Sequence, residues 1–143
     1  MLIARGVIKM QLHEQLHEIL HLIQKNTAYA RLLELIAADG TAVASVGTSA
    51  RTYVLSALHA DVRKPTLVIT ANSERARLLF ADLKAYSVDA GLFLDVETMP
   101  YDSLSPSPAS VGRRLAALDT MASGEASIWV TSVQAATRVM APR

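Results

Sequence analysis

Ser45-Val46-Gly47-Thr48-Ser49-Ala50-Arg51-Thr52 lies between an apolar run, Ala42-Val43-Ala44, and a helical pattern, Tyr53-Val54-Leu55-Ser56-Ala57-Leu58. Strand, tight loop and helix is the setting of a phosphate-binding P-loop, G-x-x-x-x-G-K-[ST]. On that pattern Ser45 stands at the first glycine, Ala50 at the second and Arg51 at the lysine, and only Thr52 fits. The second glycine lets the backbone approach phosphate in a conformation that a Cβ disfavours. The lysine is a compact charge, which the wide arginine fork does not replace at close quarters. Two readings stay open for Ser45, Gly47, Thr48, Ala50, Arg51 and Thr52. They form either a P-loop that has lost its nucleotide or an ordinary strand-to-helix turn.

Beyond this loop the chain alternates. Thr41–Val46 reads as a buried strand and 50–60 as a helix. Thr66-Leu67-Val68-Ile69-Thr70 is a β-branched run of the kind found in central parallel strands. Ser73 is placed to cap a helix reaching Tyr86, with Ala76, Leu79, Phe80 and Leu83 inward. Residues 91–94 read as a third strand, 109–122 as a helix ended by Gly124, 127–131 as a fourth strand and 133–140 as a last helix. Repeated βα units with short links predict an α/β three-layer sandwich, helices covering both faces of a mostly parallel sheet. The sole tryptophan, Trp129, falls in a strand and is expected in the core. Tyr29, Tyr53 and Tyr86 are scattered, without the basic-aromatic ribbon that reads single-stranded nucleic acid.

Upstream, residues 1–38 read as a helical lead-in and 39–143 as the α/β domain, cut short at its C-terminal end. Leu12, Leu16, Ile19, Leu20 and Ile23 form an apolar stripe over 10–25. A second helix follows Asn26 or Thr27, either of which can cap it, and Asp39-Gly40 ends it with the glycine expected in the left-handed position. Beside the first stripe His13, His17 and His21 recur every four residues, giving two overlapping H-E-x-x-H patterns with Glu14 and Glu18. In zinc peptidases such a pair binds metal while the glutamate acts as base. A catalytic zinc needs a third ligand, and His59, the only other histidine, has no motif around it. A solvated His/Glu flank is the plainer reading, and no metal site is assigned.

The 143 residues are half apolar, carry a net charge of +1 and include no cysteine. Disulfides and thiolate metal sites are excluded, and the charge gives no general drive toward nucleic acid or acidic membranes. No window approaches the roughly 20 apolar residues of a membrane span. A soluble, cytoplasmic protein is expected.

The most distinctive segment is Glu97-Thr98-Met99-Pro100-Tyr101-Asp102-Ser103-Leu104-Ser105-Pro106-Ser107-Pro108, an irregular excursion stiffened by three prolines. It feeds Gly112-Arg113-Arg114-Leu115 at the start of a helix. A long loop at the carboxyl edge of a parallel sheet is a usual seat of function. Glu97, Pro100, Tyr101, Asp102, Ser105 and Pro106, followed by Arg113 and Arg114, resemble the N-terminal region of the bacterial transcription-repair coupling factors. Three further stretches agree in order and spacing: Gly47 to Arg51, Leu67 to Thr70 leading into Glu74-Arg75-Ala76, and Val130 to Ala135. Val96 departs from the aromatic residue expected before Glu97.

The resemblance covers about residues 27–143 and implies a RecA-like fold similar to the first domain of the excision-repair subunit UvrB, with a decayed P-loop. It implies no catalytic residue and no cofactor in this stretch; ATP and Mg²⁺ belong to the motor of the full-length family. Those full-length proteins are DNA translocases that displace stalled RNA polymerase and recruit UvrA. Their implied partners are therefore UvrA, RNA polymerase, DNA through motor domains not present here, and the remaining domains of the same protein. Arg113 and Arg114 are expected to pair with Asp102 or Glu97. Two competing functions are an active nucleotide-binding module of the helicase or UvrB type and, more remotely, a zinc peptidase on the His13–His21 helix.

Overall fold

The computed structural model describes residues 19–20, 22–86, 88–95, 108–124 and 128–138. The chain divides into two compact units, Met1–Lys64 with Ala85–Ser87, and Pro65–Lys84 with Val88–Arg143.

In the first unit a 3-10 turn, Ile23–Lys25, leads into helix α1, Thr27–Ala37. Asn26 is the cap. Its Oδ1 accepts from the N–H groups of Ala28 at 2.9 Å and Tyr29 at 3.4 Å, satisfying two donors that a helix start leaves orphaned. At the other end the expectation for Gly40 is corrected. Asp39 takes the left-handed conformation, φ 52°, while its N–H donates to Ile36 O and the N–H of Gly40 to Leu35 O. These two bonds make a Schellman closure with aspartate at the left-handed position, a residue whose short polar side chain tolerates it.

Helix α2, Arg51–Val62, follows a 3-10 turn at Thr48–Ala50 and also stops on a left-handed residue that is not glycine, Arg63, φ 51°. Among the described residues of this unit the buried ones are mostly small or polar: Tyr29, Thr52, Ser56 and Ala57. Tyr29 anchors the unit. Its hydroxyl donates to Asp61 Oδ2 at 2.6 Å, and Gln24 Nε2 donates to the other oxygen at 2.9 Å. Burial, reinforced by the Asp61 carboxylate, pushes the Tyr29 phenol well above its ordinary range.

Residues 41–47 are not a strand, contrary to the sequence expectation, and Val43 is fully exposed. The physical reason lies in Thr41-Ala42-Val43-Ala44-Ser45-Val46. Two alanines and a serine offer little side chain to pack, and strand preference is chiefly preference for packing on a pleated neighbour.

The second unit is α/β. Strands β1, Thr66–Thr70, β2, Ala90–Phe93, and β3, Ile128–Ser132, form a parallel sheet in the order β1-β3-β2. Among the described residues three strands stand where four were expected. Helix α3, Ser73–Ala85, connects β1 to β2, helix α4, Pro108–Ser123, connects β2 to β3, and α5, Val133–Thr137, follows β3. The two crossovers travel in opposite directions across the sheet, so right-handed connections place α3 on one face and α4 on the other. The cap of α3 is Asn72 rather than Ser73, since Asn72 Oδ1 accepts from the N–H of Arg75 at 2.9 Å.

β3 is central and wholly buried, with Ile128 and Val130 at 0% exposure. Trp129 packs with Phe93 and Ala135 under Ala117, Leu118 and Met121 of α4, as its place in a strand predicts. The parallel register sets Gly91 directly beside Trp129, where an added Cβ would stand 2.6 Å from the indole ring. Only glycine leaves room for that ring.

Candidate functional site

The carboxyl edge of the sheet carries a clasp of charged groups. Arg114, in the second turn of α4, reaches back to the ends of β2 and β3. Its Nη1 donates to Leu94 O at 3.2 Å and its Nη2 to Ala135 O at 3.4 Å. The guanidinium lies 4.3 Å from the centroid of the Phe93 ring. Asp95, two residues past the end of β2, accepts from Arg138 Nη1 at 2.7 Å and sits 3.6 Å from Arg114 Nη1. The Arg114 side chain is only 11% exposed. A guanidinium so enclosed, with carbonyl acceptors, a carboxylate and an aromatic face around it, has its desolvation offset on several sides. The clasp joins the chain leaving β2, the first turns of α4 and the chain around α5. Arg113, its neighbour in sequence, points to solvent.

Of the residues singled out in the proline-bearing loop, Glu97, Pro100, Tyr101, Asp102, Ser105 and Pro106 lie outside the described residues. Arg114 lies beside Asp95, two residues before Glu97, and its expected pairing with Glu97 or Asp102 lies outside the described residues. Neither Asp95 nor Arg138 was singled out from the sequence. The available signal was an acid directly after one strand and a base just past the helix that follows another, positions that parallel topology brings to the same edge.

In the first unit the Ser45–Thr52 segment is an extended approach to a 3-10 turn. Gly47 has φ −57° and ψ 145°, and the N–H of Ala50 is spent on Gly47 O at 3.0 Å. A phosphate cradle needs successive N–H groups turned into a common hollow. Thr52 is buried and its carbonyl accepts from the Ser56 hydroxyl at 2.8 Å, while Arg51 lies exposed. Ser45 and Val46 line a cleft of about 230 Å³ together with Ile23, Leu32 and Val54, an apolar lining suited to side chains and not to phosphate. Ser45 and Gly47 thus lie in the extended approach, Thr48 and Ala50 in the 3-10 turn, and Arg51 and Thr52 in the first turn of α2.

His13, His17, Glu14, Glu18 and His21 lie outside the described residues. Among the described residues no helix is long and apolar enough to cross a membrane.

Over 84 residues, 53% of this chain, the sequence is 34% identical to the transcription-repair-coupling factor of Myxococcus xanthus. The match spans 7% of that protein's length. No protein-family model matches the chain, and no solved structure matches it. The family resemblance carried by the residues and this match point to the same proteins. The chain is similar to one region of a transcription-repair coupling factor.

Proposed function

We propose that the chain is the N-terminal, non-catalytic, UvrB-like module of a transcription-repair coupling factor, serving as an interaction and regulatory platform. The observation that carries this reading is the 34% identity to the Myxococcus xanthus factor. The Ser45–Thr52 segment supports the non-catalytic half. Its Ala50 replaces the glycine that would admit phosphate, and its Arg51 replaces the compact lysine charge. No Asp-Glu pair follows β3 to hold Mg²⁺, so the chain has neither the grip nor the metal carboxylates of phosphoryl transfer. In the full-length protein the module would restrain the ATP-driven DNA motor at rest. The full-length protein would displace stalled RNA polymerase through that motor and recruit UvrA.

The test is a calorimetric titration of the purified chain with ATP and Mg²⁺. The expected result is no heat of binding up to millimolar nucleotide. Micromolar, Mg²⁺-dependent binding would overturn the proposal and move the chain to the active nucleotide-binding class.

A further inference from the structure

Two arginines from different segments meet at one carboxylate oxygen. Asp95 Oδ1 lies 2.7 Å from Arg138 Nη1 and 3.6 Å from Arg114 Nη1. Two guanidinium groups are thereby gathered around a single negative charge. Toward each other they are repulsive at any dielectric constant. The carboxylate offsets that repulsion only while it stays at the carboxyl edge of the sheet.

The two arginines are not equally fixed. The Arg114 side chain, 11% exposed, is held against the Leu94 and Ala135 carbonyls and the face of Phe93. Arg138, 39% exposed, extends from the chain just past α5. When the Asp95 carboxylate is withdrawn, Arg114 keeps those contacts, and Arg138 is the group that water takes up. Asp95 itself belongs to the chain leaving β2. One oxygen thus stands between two arrangements of the chain at Arg138, engaged and released. We propose that Asp95 is the keystone of a conformational switch. A shift of the chain leaving β2 releases Arg138 from the sheet edge, and release of Arg138 loosens Asp95 in return. Such reciprocity is a thermodynamic requirement of coupling between two positions. The switch is a property of the carboxyl edge and does not rest on the coupling-factor reading.

A double-mutant cycle separates this from simple bracing. With Asp95 intact, Arg138→Gln should raise the unfolding constant of the 143-residue chain, followed at Trp129, roughly two- to fivefold. In an Asp95→Asn background the sign should reverse. There Arg138→Gln removes a repulsive neighbour of Arg114 and should lower the constant about twofold. Side-chain NMR of isotope-labelled arginine should show a restricted Arg138 guanidinium in the wild type and a freely rotating one in Asp95→Asn, with Arg114 restricted in both. Arg138→Gln should in turn raise the backbone mobility of Asp95. Where Asp95→Asn alone fails to fold, adding Arg138→Gln should restore folding. Three results would each refute the switch: an equal cost of Arg138→Gln in both backgrounds, a double variant no better folded than Asp95→Asn, or an Arg138 guanidinium equally restricted with and without the carboxylate.

Discussion

The two units are stabilised by different means. In the second, Leu83, Ile128 and Val130 are at 0% exposure and a tryptophan is folded between strand and helix. Among the described residues of the first, the buried set is one tyrosine with threonine, serine and alanine, with the tyrosine hydrogen-bonded to Asp61. Each fully buried large aliphatic side chain contributes about 1.5–3 kcal/mol, whereas a hydrogen bond contributes about 1 kcal/mol net. Helices α1 and α2 of the first unit also stop on non-glycine left-handed residues, each at a cost of roughly 1–2 kcal/mol. The sheet unit should therefore hold its amides longest, and the helical unit should open first under native conditions. Residue-resolved hydrogen exchange measures that ordering, and four substitutions break or sharpen it.

Trp129→Ala should have the largest effect, about 3–5 kcal/mol, because the cavity opens at the centre of the sheet unit. Chemical denaturation gives the magnitude, and exchange at β3 should accelerate more than exchange in α1. Arg114→Ala should cost roughly 3 kcal/mol, since it removes one of the cations beside the half-enclosed Asp95 carboxylate and empties the space against Phe93. Loss of exchange protection concentrated at the end of β2 and around α5 would distinguish a broken clasp from general loosening.

Tyr29→Phe should cost about 1.5 kcal/mol, the value of a hydrogen bond to a charged acceptor, with the loss confined to the first unit. It also changes the response to alkali. The folded phenol is raised above its ordinary value of 10.0, so the stability this group confers is complete below that pH and is lost as pH rises through the folded value. The wild-type helical unit should thus lose stability above about pH 10, and Tyr29→Phe should lack this part of the loss. The smallest change has the opposite sign. Arg63→Gly should stabilise the first unit by about 0.5–1 kcal/mol, because glycine takes φ 51° without a Cβ penalty. An unchanged thermal midpoint would mean that the Arg63 side chain contributes as much as its backbone costs.

The same contrast explains what could be read from the sequence. The sheet unit was legible because Thr66–Thr70 and Ile128–Thr131 are dense in β-branched and aromatic residues, and Ala76 and Leu83 keep helical spacing. Thr41–Val46 misled because an apolar run between turn signals fits a strand by length, while its alanines supply too little to pack. The helix ends required geometry: Asp39 and Asn72, and not their neighbours Gly40 and Ser73, take the special positions. Arg114 was found through its family motif, but Asp95 and Arg138 lie 43 residues apart and meet only once the parallel order β1-β3-β2 is known.

Gly91 and Trp129 form a matched pair, in which the absence of one side chain accommodates the bulk of the other. Neither position is free to vary by itself. An alanine at 91 would push against the indole and a smaller ring at 129 would leave a void above the glycine, so the two should change together wherever the sheet is kept. Because the chain has only one tryptophan, its fluorescence arises from this spot alone. The molecule carries its own optical gauge of whether β2 and β3 remain in register.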